Sequence, residues 1–131
     1  MFVLDHVSIT VPDLALARPF YDATMAALGI DKVYDRADAI GYGVRCSARE
    51  DHHTFLAIYE SAAANTDPRR HWCFKASTRP QVVAFCQAGI AHGGTDDGAP
   101  GLRAHYHPTY FAAFLKDPFG NRVEAVCHRG E

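Results

Sequence analysis

The chain has 131 residues, 48% of them hydrophobic, 21% charged and 11% aromatic, a balance that supports one domain with a true core and excludes a disordered polymer. Thirteen basic side chains against fifteen acidic ones leave a formal net charge of -2, so nothing draws the chain as a whole toward nucleic acid or an anionic membrane. No apolar run approaches the roughly 18 residues of a bilayer-spanning helix, and the start MFVLDHVSITVPD lacks the basic region and small-residue cleavage site of a secretion signal, so the expected location is the cytoplasm.

Residues Phe2 to Val11 alternate with the period of a half-buried strand, and Pro12-Asp13 closes it. From Asp13 a helix is predicted with Leu14, Tyr21, Met25 and Leu28 on one face and Gly29 as its stop, and Pro19 is expected to kink or divide it. Strands follow around Lys32 to Tyr34, Ala39 to Cys46 and Thr54 to Tyr59, with His52-His53 in an exposed turn.

The order then restarts. His71 to Ser77 read as a strand, Thr78 caps a helix opened by Arg79-Pro80, and Val82, Phe85, Cys86 and Ile90 form its apolar stripe before Gly93-Gly94 ends it. His92 falls in its last turn, where an imidazolium suits the carbonyl end. A Gly/Pro/Asp loop comes next, then strands near Arg103 to His105 and at Tyr110 to Lys116, a turn at Asp117 to Gly120 and a strand from Arg122 to His128. The prediction is an α+β domain of two tandem βαβββ modules, residues 1–62 and 69–131, forming a curved mixed sheet around a concave cavity.

Alternate residues of a strand face opposite sides of its sheet. Val3, Val7, Ile9 and Val11 therefore make one face of the first strand, and His6 lies on the other. Trp72, Phe74 and Ala76 are likewise opposed to His71, Cys73, Lys75 and Ser77, and Val123, Ala125 and Cys127 to Arg122, Glu124, Val126 and His128. Helices cover the apolar face, so His6, His71, Lys75 and Glu124 gather on the concave one. Two imidazoles and a carboxylate suit a divalent transition metal, and three protein ligands leave positions open for water or substrate.

Lys75 and Arg122 lie on the same faces as candidate anion binders. Arg103, His105, Tyr106, His107 and Tyr110 form a lid or pocket wall in which Arg103 and Tyr106 can bind substrate and His107 and Tyr110 can move protons beside Glu124. The glycine strings GGTDDGAPG and GYG fit no phosphate-loop or dinucleotide spacing. The four cysteines, Cys46, Cys73, Cys86 and Cys127, contain no CxxC pair and read as reduced, mostly core thiols, with Cys73 on the cavity face.

His6 in DHVSITVPDL, His71 in HWCFKA and Glu124 in FLKDPFGNRVEAV give the chain a resemblance to the vicinal oxygen chelate superfamily, which includes glyoxalase I, extradiol dioxygenases, thiol transferases and bleomycin-binding proteins. The stretches KDPFGNRVEAV and GGTDDGAPGLRAHYHPTYFAAF are similar to a glyoxalase-like subgroup. The resemblance implies a divalent zinc, nickel, manganese or iron ion on His6, His71 and Glu124, a small substrate whose adjacent oxygens the ion chelates, and a homodimer, in which His6 can come from one chain and His71 with Glu124 from the other. It implies a lyase or isomerase, with an extradiol-type dioxygenase or thiol transferase and a non-catalytic small-molecule binder as alternatives. Glyoxalase I resembles this pattern but has a fourth ligand in the last strand of its first module. Here that strand is TFLAIY, where Leu56 and Ala57 cannot coordinate a metal and Glu60 sits at the far end.

Overall fold

The computed structural model describes residues 3–49 and 51–130. Its elements are β1 (His6–Val11), α1 (Leu14–Ala27), β2 (Lys32–Asp35), β3 (Ala39–Gly43), β4 (Phe55–Glu60), β5 (His71–Lys75), α2 (Arg79–Ala91), β6 (Thr95–Leu102), β7 (Phe111–Lys116) and β8 (Arg122–Cys127). They form two four-stranded mixed sheets of identical topology, β1-β4-β3-β2 and β5-β8-β7-β6. In each, the first and last strands of the βαβββ unit pair in parallel and the remaining pairs are antiparallel. The fold is thus the expected α+β duplication. The start expected at Phe2 lies outside the described residues, and Val3 is 88% exposed rather than part of the core.

Local chemistry sets the helix ends. Asp13 accepts a hydrogen bond from the Leu16 backbone N–H, and the Glu60 carboxylate accepts one from Leu14, so two otherwise orphaned donors of α1 are satisfied. Glu60 is therefore a helix anchor. Gly29 takes up the left-handed conformation that releases the chain after α1, at φ +71°. Thr78 and Gln81 form a reciprocal capping box at the start of α2, and His92 ends the helix with Nδ1 2.8 Å from the Ala88 carbonyl oxygen.

Five expectations are corrected. Pro19 lies inside an undivided α1, where it and Ala15, whose carbonyl it leaves without an N–H partner, both face solvent. Ile90 is 48% exposed, because Val82, Phe85, Cys86 and Gly89 already fill the buried face of α2. The Gly/Pro/Asp segment is not a loop but strand β6, paired to β7 through two register shifts; as the outer strand of its sheet it tolerates Pro100. The strand expected at Arg103 to His105 is a turn, closed by Tyr106 N–H to the Arg103 carbonyl. Of the cysteines, Cys86 and Cys127 are buried, whereas Cys46 and Cys73 are exposed.

The helices α1 and α2 pack along one another, and the contact is close: a side chain at Gly89 would collide with Leu115 and Phe20. Phe20, Tyr21, Met25, Phe85, Leu115 and Val123 belong to the single core shared by both modules. One polar contact ties the modules together inside it. The Tyr21 hydroxyl donates to Asp117 Oδ2 at 2.6 Å, while the backbone N–H groups of Phe119 and Asn121 and the Asn121 amide saturate the rest of that carboxylate. Replacing Tyr21 with Phe removes one partner from a carboxylate that is 2% exposed, so urea unfolding is expected to show a loss of about 1–3 kcal/mol; an unchanged midpoint would mean the bond contributes nothing net.

Candidate functional site

The parallel register of β5 and β8 sets Cys73 opposite Glu124 and His71 opposite Arg122. These residues share one face of the second sheet, and His71 Nε2 lies 3.3 Å from Glu124 Oε2. The Glu124 side chain is 3% exposed and that of His71 44%. The other carboxylate oxygen, Oε1, accepts the Tyr110 hydroxyl at 2.6 Å. Burial, then the hydrogen bond to Glu124, holds the Tyr110 phenol well above its ordinary pKa. The Cys73 thiol meets the same carboxylate; although the residue as a whole is exposed, desolvation of its sulfur and the Glu124 charge push the thiol up to about 12, so at neutral pH it is a donor and not a thiolate.

The first sheet builds a different group around His6. Its Nδ1 lies 2.6 Å from Asp5 Oδ1, and Asp5 Oδ2 lies 2.8 Å from His53 Nε2. The Phe55 ring, opposite His6 in the β1–β4 register, stacks on the imidazole at 4.9 Å and 14°. His53 is buried at 9% exposure, a correction to the exposed turn expected for it, while His52 is exposed.

His71 and Glu124 are therefore brought together, and His6 is held by other partners. Among the described residues no three His, Cys, Asp or Glu side chains are grouped so as to hold a metal ion. His6 and His71 nevertheless line one cavity of about 940 Å³, together with Cys73, Lys75 and an apolar lining that includes Tyr42 and Phe55. Module duplication also identifies the position in module one that corresponds to Glu124. Ser8 stands two residues after His6 and pairs with Ala57, as Cys73 stands two after His71 and pairs with Glu124. Ala57, 1% exposed, is thus the counterpart of Glu124 and offers no ligand atom.

The other candidates divide by their partners. Arg122 donates to Asp97 and to the Pro68 carbonyl, tying the segment before β5 to β6. Arg103 donates to the carbonyls of Ala99 and Gly101 and lies over the Phe114 ring, bracing β6. Tyr106, 60% exposed, packs between His105 and Tyr110. His107 accepts the Thr109 backbone N–H at Nδ1, and its Nε2 lies 2.9 Å from His128 Nδ1; both rings meet the Tyr110 ring edge to face. Sequence reasoning passed over Asp5, His53 and His128. The available signals were the Asp-His dipeptide and the position of His128 on the Glu124 face of the last strand.

A family model described as the Glyoxalase/Bleomycin resistance protein/Dioxygenase superfamily matches residues 3–125. Among solved structures, a glyoxalase/bleomycin resistance protein from Albidiferax ferrireducens T118 is 28% identical with a TM-score of 0.79, covering 96% of this chain and 98% of its own. A glyoxalase-related enzyme from Fulvimarina pelagi, 14% identical over 97% of this chain and 88% of its own, has a TM-score of 0.69. A glyoxalase/bleomycin resistance protein/dioxygenase family enzyme from Burkholderia phytofirmans PsJN, 17% identical over 95% and 98%, has a TM-score of 0.68. The last two likenesses concern the fold alone. No curated protein matches the chain. With a family model spanning nearly its whole length and both βαβββ units in place, the chain belongs to the Glyoxalase/Bleomycin resistance protein/Dioxygenase superfamily.

Proposed function

We propose that the protein is a metal-dependent, glyoxalase-like lyase or isomerase acting on a small substrate with adjacent oxygens. The observation that carries this reading is the approach of His71 Nε2, half exposed, to Glu124 Oε2, buried, 3.3 Å apart on one face of the second sheet. The donor set fits a divalent ion in its chemistry: an imidazole and a carboxylate stand side by side, and a second imidazole, His6, has Nδ1 turned to Asp5. It is divided in space, since no three such groups meet within the described residues of one chain. In this reading the third ligand comes from a second copy, in a homodimer that joins His71 and Glu124 of one chain to the partner's His6. Val3 and Leu4, 88% and 60% exposed beside His6, are apolar surface that such a contact would cover.

A zinc, nickel, manganese or iron ion held by His71, Glu124 and the partner's His6 would supply Lewis acidity toward the substrate oxygens. The chain supplies the proton chemistry. Glu124 would act as the base that takes up and returns a substrate C–H proton, with Tyr110 holding the carboxylate in place through Oε1, and His107, beside Tyr110, would carry the hydroxyl proton from one substrate oxygen to the other. Lys75 on the cavity wall attracts an anionic substrate, and the apolar part of the lining packs against the rest of it. The absence of a donor at Ala57 supports a second reading, an extradiol-type dioxygenase or thiol transferase with the same three ligands.

Metal analysis of the purified protein is expected to find about one divalent ion per chain, lost in His6→Ala and in Glu124→Ala. Iron(II) would favour the dioxygenase reading, and no metal at all a small-molecule binder. A mixture of the two variants tests the shared site: heterodimers regain one intact set, so co-refolded protein should recover roughly a quarter of the wild-type sites, whereas sites contained within single chains would recover none. In metal-free protein at pH 8, iodoacetamide should label exposed Cys46 and spare Cys73, whose labelling should rise only toward pH 12 or when Glu124→Gln removes the charge beside it. Peptide mass spectrometry reads the ratio, and equal labelling of both thiols would contradict a protonated Cys73.

A further inference from the structure

We infer that Asp5 is a positioning residue that presents His6 as an Nε2 donor; the inference rests on the metal-site reading above. A neutral imidazole carries its proton on one nitrogen only, and the hydrogen bond made there decides which nitrogen keeps a lone pair. Asp5 Oδ1 lies 2.6 Å from His6 Nδ1, and a carboxylate can only accept. The proton is therefore at Nδ1 and the lone pair at Nε2. The ring plane is set independently by Phe55, stacked at 4.9 Å and 14°.

The carboxylate is itself held. An Asp-His pair at the start of a strand, with both side chains more than half exposed, would swing freely if nothing stood behind it. Here the second oxygen, Oδ2, is 2.8 Å from Nε2 of His53, whose side chain is only 6% exposed. Asp5 thus lies within ion-pair distance of two imidazoles, one buried and the other at the cavity. Metal-ligating histidines commonly donate their second ring N–H to a carboxylate, and removing that partner weakens metal binding by roughly 10- to 100-fold.

The test joins long-range 15N–1H NMR of the metal-free protein to Co2+ titrations followed by visible absorption. Wild-type His6 is expected to show a protonated Nδ1. Asp5→Ala should shift the ring toward the Nε2-protonated form and weaken Co2+ binding by about 10- to 100-fold. Asp5→Asn keeps a carbonyl oxygen for Nδ1–H and should restore the tautomer and most of the affinity, which a merely structural role would not require; His53→Ala should give a smaller loss. The inference is overturned if wild-type His6 is protonated at Nε2, or if Asp5→Ala binds Co2+ as tightly as wild type. Should the wild type take up no Co2+, the metal reading itself fails, and the tautomer alone decides the role of Asp5: a shift in Asp5→Ala upholds it and an unchanged ring overturns it.

Discussion

Parallel pairing between the first and last strands of each module is the constraint on which the site depends. It fixes which residue of β8 shares a face with His71, and a one-residue slip would turn Glu124 into the core and Val123 out of it. With the observed register, a carboxylate from the end of the chain lies beneath an imidazole more than fifty positions earlier. The same pairing in module one sets Phe55 against His6 and Ala57 in the place that Glu124 holds in module two. Duplication has supplied two equivalent frames, and only one of them carries an acid.

The polar groups around these frames separate by role once their partners are known. Tyr110 is engaged by Glu124, Asp5 by His6 and His53, and Arg122 by Asp97 and the Pro68 carbonyl. A buried carboxylate without such donors would be costly. Tyr110 and Cys73 meet that need for Glu124 while remaining protonated themselves, leaving Oε2 directed at His71.

Much of this was legible in the amino-acid order because strand parity is a strict period. The alternation through β1 and β5 identified the faces of His6 and His71, and Thr78 with Pro80 marked the start of α2, since each of these signals acts within a few residues. What escaped depended on neighbours distant in sequence. Residues of β6 have poor strand preference and pair only because β7 offers a ladder. Ile90 fits the helical stripe, yet the stripe is wider than the surface available to cover it. His53 resembles a turn residue until Asp5, nearly fifty positions earlier, is seen against it. The faces of the candidate ligands could be read; their grouping could not, because the distance between β1 and β8 is set by how the two sheets pack.

The contact of α1 with α2 and the Tyr21–Asp117 bond bear on how copies of this chain can associate. Duplicated units are natural candidates for exchange, each half of one molecule completing the other half of its neighbour. Here the halves already share one dry interior, sealed by a phenol and a carboxylate that water does not reach. Trading them would require that seal to open. A second copy would therefore meet two halves that are already packed against each other.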